Sequence, residues 1–578
     1  MKSPWSFPTS PRSPYKVIER LKLITSLDGR DYDKNLQIEI GKRIREEDGN
    51  LKVGLSSNSS TLDFVGRDYI TRAPKKLGVV YVPGSGKGKF IITEQGKNLI
   101  NSKNMEFVIQ RQIAKIQYPS PISARGTDNI KIIPLTTIIK ILKKVRDLSR
   151  SEVMMFVITI EKFTQINTAI KEILNFREKL KKIKGNLKRK KFRRETGLKK
   201  LEWFYQNENP NIREKKGKKV DKKEFLKTKL NNHKDYADSI FRYFIATGLF
   251  KLNKNSRLEI SKINEKDADY LLETIGLEPK TFEPDEEKYV KNYMGKENSI
   301  SLFTDKLSNL IKKFNYLKRL SSKLKLKINT KNIENKFNEE KSLDIKKDII
   351  VELQKRFISL KMEKFIKKLS ERNQTDFDEI LNHFEEISDR NSDILDKPLQ
   401  YEYNFFRAFS FIGDAEKIIP SLNFDEDTNP LNTTSNKPDL IIEYKNFILV
   451  VEVTLSSGQR QYESEGAPVF RHVGKCQNEH NKPVFGLFVS EKMDVNMPIE
   501  FLSRAMVKTK IYNGRVRILP MERSDFNLLF EKIYKKKLKS NYLFDLFNSF
   551  LGDSALLKYQ DLGEENWIND FKKDLSLQ

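Results

Sequence analysis

In the stretch PDLIIEYKNFILVVEVT, residues 438–454, two carboxylic acids, Asp439 and Glu452, flank a pair of apolar runs that meet at Lys445 and Asn446. If Lys445 and Asn446 form a two-residue hairpin loop, Tyr444 faces Phe447, and counting outward sets Asp439 directly opposite Glu452. Directly opposed residues of an antiparallel pair share a sheet face, with Cβ atoms about 5 Å apart. Two carboxylates that close repel each other unless a cation lies between them. The spacing therefore predicts a divalent-metal site on the floor or edge of a sheet. A third acid, Glu402, shares a helical face with Phe405, Phe406 and Phe409 in LQYEYNFFRAFSFI. A charge on an apolar stripe needs a cation or a hydrogen-bond donor, unless it sits at the stripe's edge and reaches water. Taken with Asp439 and Glu452, it joins the metal site.

The elements that must position these acids follow Pro398 in the order helix, strand, strand, helix, strand, strand, helix. The hairpin strands are apolar on both faces, Leu440 and Ile442 against Ile441, so helices should cover the sheet on both sides. Residues 398–578 thus read as an α/β domain. Pro468 is expected at the first position of the helix PVFRHVGKCQNE, after Gly466. On that reading Glu465 precedes the helix, and its seven-residue spacing from His472 does not put the two on one face.

A chain of 578 residues is too long for one core and calls for three or four units at about 100–200 residues each. Its 108 Lys and Arg against 79 Asp and Glu give a formal charge of +29, which suits a polyanionic partner, double-stranded DNA above all. No apolar run reaches the roughly 18 residues of a spanning helix, and MKSPWSFPTSPRSPYK lacks a signal-peptide core, so a soluble, intracellular, cytoplasmic protein with no membrane partner is expected. One cysteine and four histidines leave no disulfide framework and no zinc-finger spacing; a metal would be held by oxygen.

Before residue 398 the fold class expected is α+β. SPYKVIERLKLIT followed by RAPKKLGVVYVPGSGKGKFIITEQGKNLI has the outline of a winged helix, and DYADSIFRYFIATGLFKLNKNSRLEISKI repeats it, with a hairpin turning around Asn253–Ser256. These give two DNA-recognition subdomains, residues 1–140 and 141–290. PGSGKGKF fails the phosphate-loop spacing, with Tyr81 and Gly88 at required positions, and reads as a wing tip where Lys87 and Lys89 either touch the DNA backbone or are merely solvated. From Phe176 to Lys200 the chain holds 13 Lys or Arg against two Glu, too one-sided for a helix face built on ion pairs. Lys188, Arg189, Lys190, Lys191, Arg193 and Arg194 are its expected phosphate contacts, against a solvated loop as the bland alternative. Arg242 and Lys251 lie where a reader would place DNA contacts. Residues 291–397 read as a helical linker with apolar residues at helical spacing. His233, His383 and His480 are isolated and read as fillers.

Pro438-Asp439, then a 12-residue gap and Glu452-Val453-Thr454, resembles the PD-(D/E)xK nuclease motif. The order and spacing of Glu402, Asp439, Glu452, and then Glu465 and His472 in ESEGAPVFRH, are similar to those of the type IIS restriction and nicking endonucleases of the AlwI, MlyI and PleI group. The similarity runs on through SPRSP near Ser10, GKFIITEQGKNLI, QYPSP at Gln117 and FRYFIATGLF at Phe241, and so spans nearly the whole chain. The resemblance implies a recognition half of two winged-helix-like subdomains, a helical linker and a C-terminal FokI-like PD-(D/E)xK domain in a bacterial restriction enzyme. It implies Asp439 and Glu452 as ligands of one or two Mg2+ ions, Glu402 and Glu465 as acidic site residues, and His472 as a further polar member. Thr454 stands where most such nucleases carry Lys; the resembled group shares that departure, which leaves His472, Arg471 or Lys475 to supply the positive group.

The expected function is Mg2+-dependent hydrolysis of DNA at a fixed distance from a short asymmetric site, GAGTC by resemblance. One active site cuts one strand, so double-strand cutting calls for a homodimer or a smaller nuclease subunit, whereas a monomer nicks. The rival readings are a structure-specific repair or recombination nuclease and a non-catalytic winged-helix regulator.

Overall fold

A computed structural model describes residues 2–47, 59–84, 88–102, 104–123, 126–208, 221–326, 330–389, 392, 394–434 and 437–576. The chain forms a mixed helix-and-sheet protein of two compact units, Met1–Lys355 and Arg356–Gln578. The boundary falls inside residues 291–397, within the 27-residue helix Leu343–Leu369. Other helices of that span pack into one unit or the other. Lys313 of Leu307–Lys323 is buried against Asp267 at 2.7 Å, while Ile380 of Gln374–Ser388 accepts a bond from Asn404 at 2.9 Å.

In the first unit, Val80–Tyr81 pairs antiparallel with Ile91–Ile92 and leads into the helix Glu94–Asn101. The Thr93 hydroxyl caps that helix by accepting the Gly96 N–H. The turn residues Ser85–Lys87, and with them Lys87, read as either a DNA-backbone contact or a solvated tip, lie outside the described residues. A second hairpin, Phe250–Leu252 with Leu258–Ile260, follows the helix Lys222–Ile245 through Gly248. Gly248 has φ +69°, and a Cβ there would strike the Glu106 carboxylate, so glycine is required. Asp147–Leu148 adds a third strand beside Leu258–Glu259 that the sequence did not signal.

The basic run is helical, where pairing rules alone had argued against a helix. It lies in Ile166–Lys182 and Asn186–Phe204, broken at Gly185 with φ +90°. Packing outweighs the charge repulsion: Phe176 stacks on Phe192 at 5.6 Å, and Gly197 lies against Met154 and Leu230. Arg177, counted among the run's cations, is a framework residue. It bonds Glu152 at 2.7 Å, and Arg257 bonds the same carboxyl at 2.7 Å. Burial raises the Glu152 pKa, but these two guanidiniums hold it below the usual carboxylate range.

The second unit is built on helix α1 (Lys397–Ile412), strands β1 (Lys417–Pro420), β2 (Leu440–Glu443) and β3 (Ile448–Thr454), helix α2 (Gln459–Glu479), strand β4 (Val484–Ser490), helix α3 (Asn496–Met506) and strand β5 (Ile518–Glu522). The sheet order is β5-β4-β3-β2-β1, parallel from β5 to β3 and antiparallel from β3 to β1. β4 is buried along its whole length, as a strand covered on both faces must be. On one face Phe488 meets Phe501 of α3 and Gly486 is overlaid by Val473 of α2; on the other Phe485 packs on Phe544 and Phe547. The sequence reading lacked β1, the hairpin Leu422–Phe424 with Pro430–Thr433, and α3.

α2 departs most from expectation. It begins at Gln459, after Gly458 with φ +63°, and runs through Pro468 as one 21-residue helix. Pro468 is interior, not the first residue. An interior proline lacks one donor and crowds the preceding turn, at a cost of ~3 kcal/mol, so the helix persists only through its packing. Gly466 lets it close on α3, where a Cβ would meet the Glu500 carboxylate at 2.9 Å.

Candidate active site

The β2–β3 register pairs Glu443 with Ile448 and Leu440 with Val451; one step further sets Asp439 opposite Glu452. The Tyr444 N–H donates to Phe447 O at 2.9 Å around the two-residue loop, and the two rings stack at 4.7 Å. The Val453 N–H donates to Asp439 Oδ2 at 2.8 Å, which fixes the carboxyl at the end of β2. In the parallel β3–β4 register Glu452 lies beside Phe488, and therefore on the face that α2 and α3 cover.

That placement explains what α2 contributes. His472 Nδ1 lies 2.6 Å from Glu452 Oε1, and Thr454 donates its hydroxyl to Glu465 Oε1 at 3.2 Å. Because α2 is continuous, Glu465 and His472, seven residues apart, share its face and meet alternate residues of β3. The expected separation of these two residues is thus corrected.

Glu402 comes from α1. Its Oε2 is buried and has no hydrogen-bond partner among the described residues, so the apolar-stripe reading, not the water-reaching one, describes it. Glu402, Asp439, Glu452 and Glu465 line one cleft of about 630 Å³, with Tyr401 and Phe488 in its walls.

The electrostatics follow from burial and mutual repulsion. Burial, then Asp439, Asp396 and Glu452, push Glu402 up to about 9. Burial and Glu465 push Glu452 up to about 8, against Arg471 and the backbone at Asp439. Asp439 is driven well above the carboxylate range by burial and then by Glu452, despite the Val453 N–H. Burial also raises Glu465, opposed by Thr454 and Arg460. His472 is lowered, by burial first and Arg471 second. The two side chains share one close hydrogen bond, whose donor is set by the tautomer and protonation state of His472. The cleft holds its acids against their preference for ionisation, which is the condition a cation would relieve.

A divalent cation fits this donor set. All four acids offer hard oxygen ligands, and Glu402 Oε2 is an orphaned buried acceptor. Among the described residues no three His, Cys, Asp or Glu side chains stand close enough to form a finished cage.

The expected DNA contacts divide. Lys188, Lys190, Lys191 and Arg194 are exposed on the helix Asn186–Phe204; Arg189 and Arg193 are half-buried, and Arg189 donates to Ile183 O at 2.8 Å. Arg242 is half-buried and paired with Asp238 at 3.0 Å. Lys251 is a correction: it is 1 % exposed and bonded to Glu259, its cross-strand neighbour, at 3.1 Å, and so is a core ion pair. His233 is buried between Tyr205 and Met154 O, a core residue as expected.

The profile of the AlwI restriction endonuclease family matches residues 75–529. The chain belongs to that family. It is a type II restriction endonuclease, a hydrolase acting on DNA. The match takes in Glu402, Asp439, Glu452, Glu465 and His472 as well as the basic helix. No curated protein matches the chain. Among solved structures, the small subunit (R.BspD6I2) of the heterodimeric restriction endonuclease R.BspD6I is 20 % identical, covering 34 % of this chain and 100 % of its own, with a TM-score of 0.29. The BpuJ1 endonuclease binding domain, solved with pyrene- and phenanthrene-modified DNA, is 11 % identical over 49 % of this chain and 90 % of its own, with a TM-score of 0.31. Restriction endonuclease FokI is 12 % identical over 94 % of this chain and 99 % of its own, with a TM-score of 0.24. Among the described residues no helix is long and apolar enough to cross a membrane.

Arg460, which lines the cleft, and Gln461, which ties down the first turn of α2, went unread in the sequence. The available signal was Gly458 followed by a polar segment, a helix start that the later Pro468 masked.

Proposed function

We propose that the enzyme is a Mg2+-dependent, type IIS endonuclease of PD-(D/E)xK type whose hydrolytic centre is the cleft of Asp439, Glu452, Glu402, Glu465 and His472. The observation that carries this reading is the facing pair Asp439 and Glu452, both raised above the carboxylate range and joined by the orphaned Glu402. Asp439 and Glu452 would hold one or two ions, and the chemistry so supplied is Lewis acidity toward phosphate and attacking water.

The chain's own residues prepare that chemistry. Val453 fixes Asp439 Oδ2 and leaves Oδ1 to an incoming ligand. His472 Nδ1, 2.6 Å from Glu452 Oε1, would hold that carboxylate in place by donating its N–H to it. Thr454 orients Glu465. In the overall reaction a water oxygen bonds to phosphorus, the P–O3′ bond breaks and the leaving oxygen takes up a proton, giving a 5′ phosphate and a 3′ hydroxyl.

The first unit would be the reader: its hairpins act as winged-helix-like elements on the phosphate backbone, and the helix from Asn186 adds sequence-independent affinity. A short asymmetric site, GAGTC as the first to try, would be bound there and cut at a fixed distance. With one such cleft among the described residues, cutting both strands calls for a second copy or a smaller nuclease subunit.

The test is incubation of the purified protein with Mg2+ and mixed-sequence plasmids beside Asp439→Ala. Discrete fragments or nicks that vanish in the variant are expected. Equal DNA binding with no cutting by either protein under any divalent ion would overturn the reading.

A further inference from the structure

The cleft has an imbalance that the acids alone do not resolve. Four carboxylates line it, and among the described residues Arg460 is the single cationic side chain in its lining. A phosphodiester entering this space brings another negative charge, and hydrolysis adds more on the non-bridging oxygens. His472 is engaged with Glu452, and Arg471 and Lys475, though exposed on α2, are not part of the lining.

Arg460 is built to serve. It lies in the first turn of α2, exposed, and among the described residues no hydrogen bond or ion pair engages its guanidinium. It is near enough to oppose the rise of the Glu465 pKa without contacting that carboxyl. Its neighbour Gln461 is fully buried and clamps the turn: it donates to Ser456 O at 2.8 Å and Lys492 O at 3.3 Å, and accepts the Asp494 N–H at 2.8 Å. The backbone that carries Arg460 is therefore fixed on the rim, while its head is free for a ligand. A guanidinium presents paired N–H donors that match two oxygens of one phosphate.

We propose that Arg460 is a catalytic residue whose guanidinium grips the non-bridging oxygens of the scissile phosphodiester and offsets the charge that grows on them. It transfers no proton. This inference rests on the cleft being the hydrolytic centre.

The experiment is single-turnover cutting, with Mg2+, of a plasmid that the wild-type full-length chain cuts, using Arg460→Ala, Arg460→Lys and Asp439→Ala. Arg460→Ala should cut about 100- to 1,000-fold more slowly, the range for losing one donor to a developing oxyanion. Its affinity for the plasmid should stay within about twofold, because the first unit carries most of the binding. Arg460→Lys should recover part of the rate, and added guanidinium should speed Arg460→Ala but not wild type. A structural role would give no such rescue. Wild-type cutting by Arg460→Ala, or a slow rate that guanidinium leaves unchanged, overturns the assignment. If Asp439→Ala is inert while Arg460→Ala cuts normally, only Arg460 falls; if Asp439→Ala also cuts normally, the site itself is misplaced.

Discussion

Replacing Glu402 by Gln should stabilise the metal-free enzyme, and increasingly so as pH rises. Glu402 is pushed up to about 9 from an ordinary value of 4.5, with Oε2 buried and unpartnered. A carboxyl raised in the folded state binds its proton more tightly there than in the unfolded chain. Its contribution to stability is therefore intact below about pH 4.5 and is lost progressively as pH climbs toward 9. At pH 8 the folded protein keeps a proton that the unfolded chain has released, over a gap of about 3.5 pH units at ~1.4 kcal/mol each, or about 5 kcal/mol as an upper bound. Because Asp439 and Glu452 share the repulsion, roughly 3 kcal/mol is the figure to expect at pH 8. Gln keeps the shape and cannot ionise. Calorimetric unfolding of the full chain, reading the transition that Glu402→Gln moves, should show variant and wild type close together at pH 5 and separated by several degrees at pH 8.5. Saturating Mg2+ should narrow the gap by stabilising wild type. A gap equal at both pH values, or a variant less stable at pH 8.5, would refute the burial-and-repulsion reasoning.

Removing the His472 imidazole with His472→Ala should slow cutting about 10- to 100-fold and shift the pH dependence of Mg2+ activation upward, since the Glu452 carboxylate loses the donor that holds it; initial rates across pH 6–9 check this. Pro468→Ala should raise the melting temperature, by ~1 kcal/mol of stability, with cutting unchanged, because an interior helix gains a donor; a proline that began the helix would give no gain. Changing Lys188, Lys190, Lys191 and Arg194 together to Gln should weaken binding to all DNA sequences alike and reduce the salt slope by about one for each phosphate no longer neutralised, as titrations at several salt concentrations would show. Lys251→Met should cost about 1–3 kcal/mol in unfolding and leave the DNA affinity of the folded protein unchanged.

What the sequence made legible tracks how local the determining physics is. Asp439 opposite Glu452 could be counted because a two-residue loop fixes register and the side-chain period is two. Glu402 stood out because a charge on a phenylalanine stripe conflicts with its surroundings. α2 was not legible: its first half is polar, and Pro468 resembles a start signal, while the forces that carry the helix through it, the Thr454–Glu465 bond, the Gln461 clamp and the fit of Gly466 against α3, join residues distant in the chain. The same holds for the basic run, which the Phe176–Phe192 stack keeps helical despite its charge, and for Lys251, whose partner Glu259 lies across a strand pair. The strand Asp147–Leu148 is a two-residue element that no local pattern marks.

Whether the acids of β2, β3 and α1 are the seat of the metal can be tested by letting the metal report its own position. With Fe2+ in place of Mg2+ and ascorbate with peroxide, hydroxyl radicals formed at the ion cut the polypeptide beside it. Fragments mapped by mass spectrometry should cluster around Asp439 and Glu452, should fade when Mg2+ competes, and should vanish in Asp439→Asn. Cutting that clusters elsewhere in the chain, or that survives Asp439→Asn unchanged, would contradict the assignment of this cleft as the hydrolytic centre.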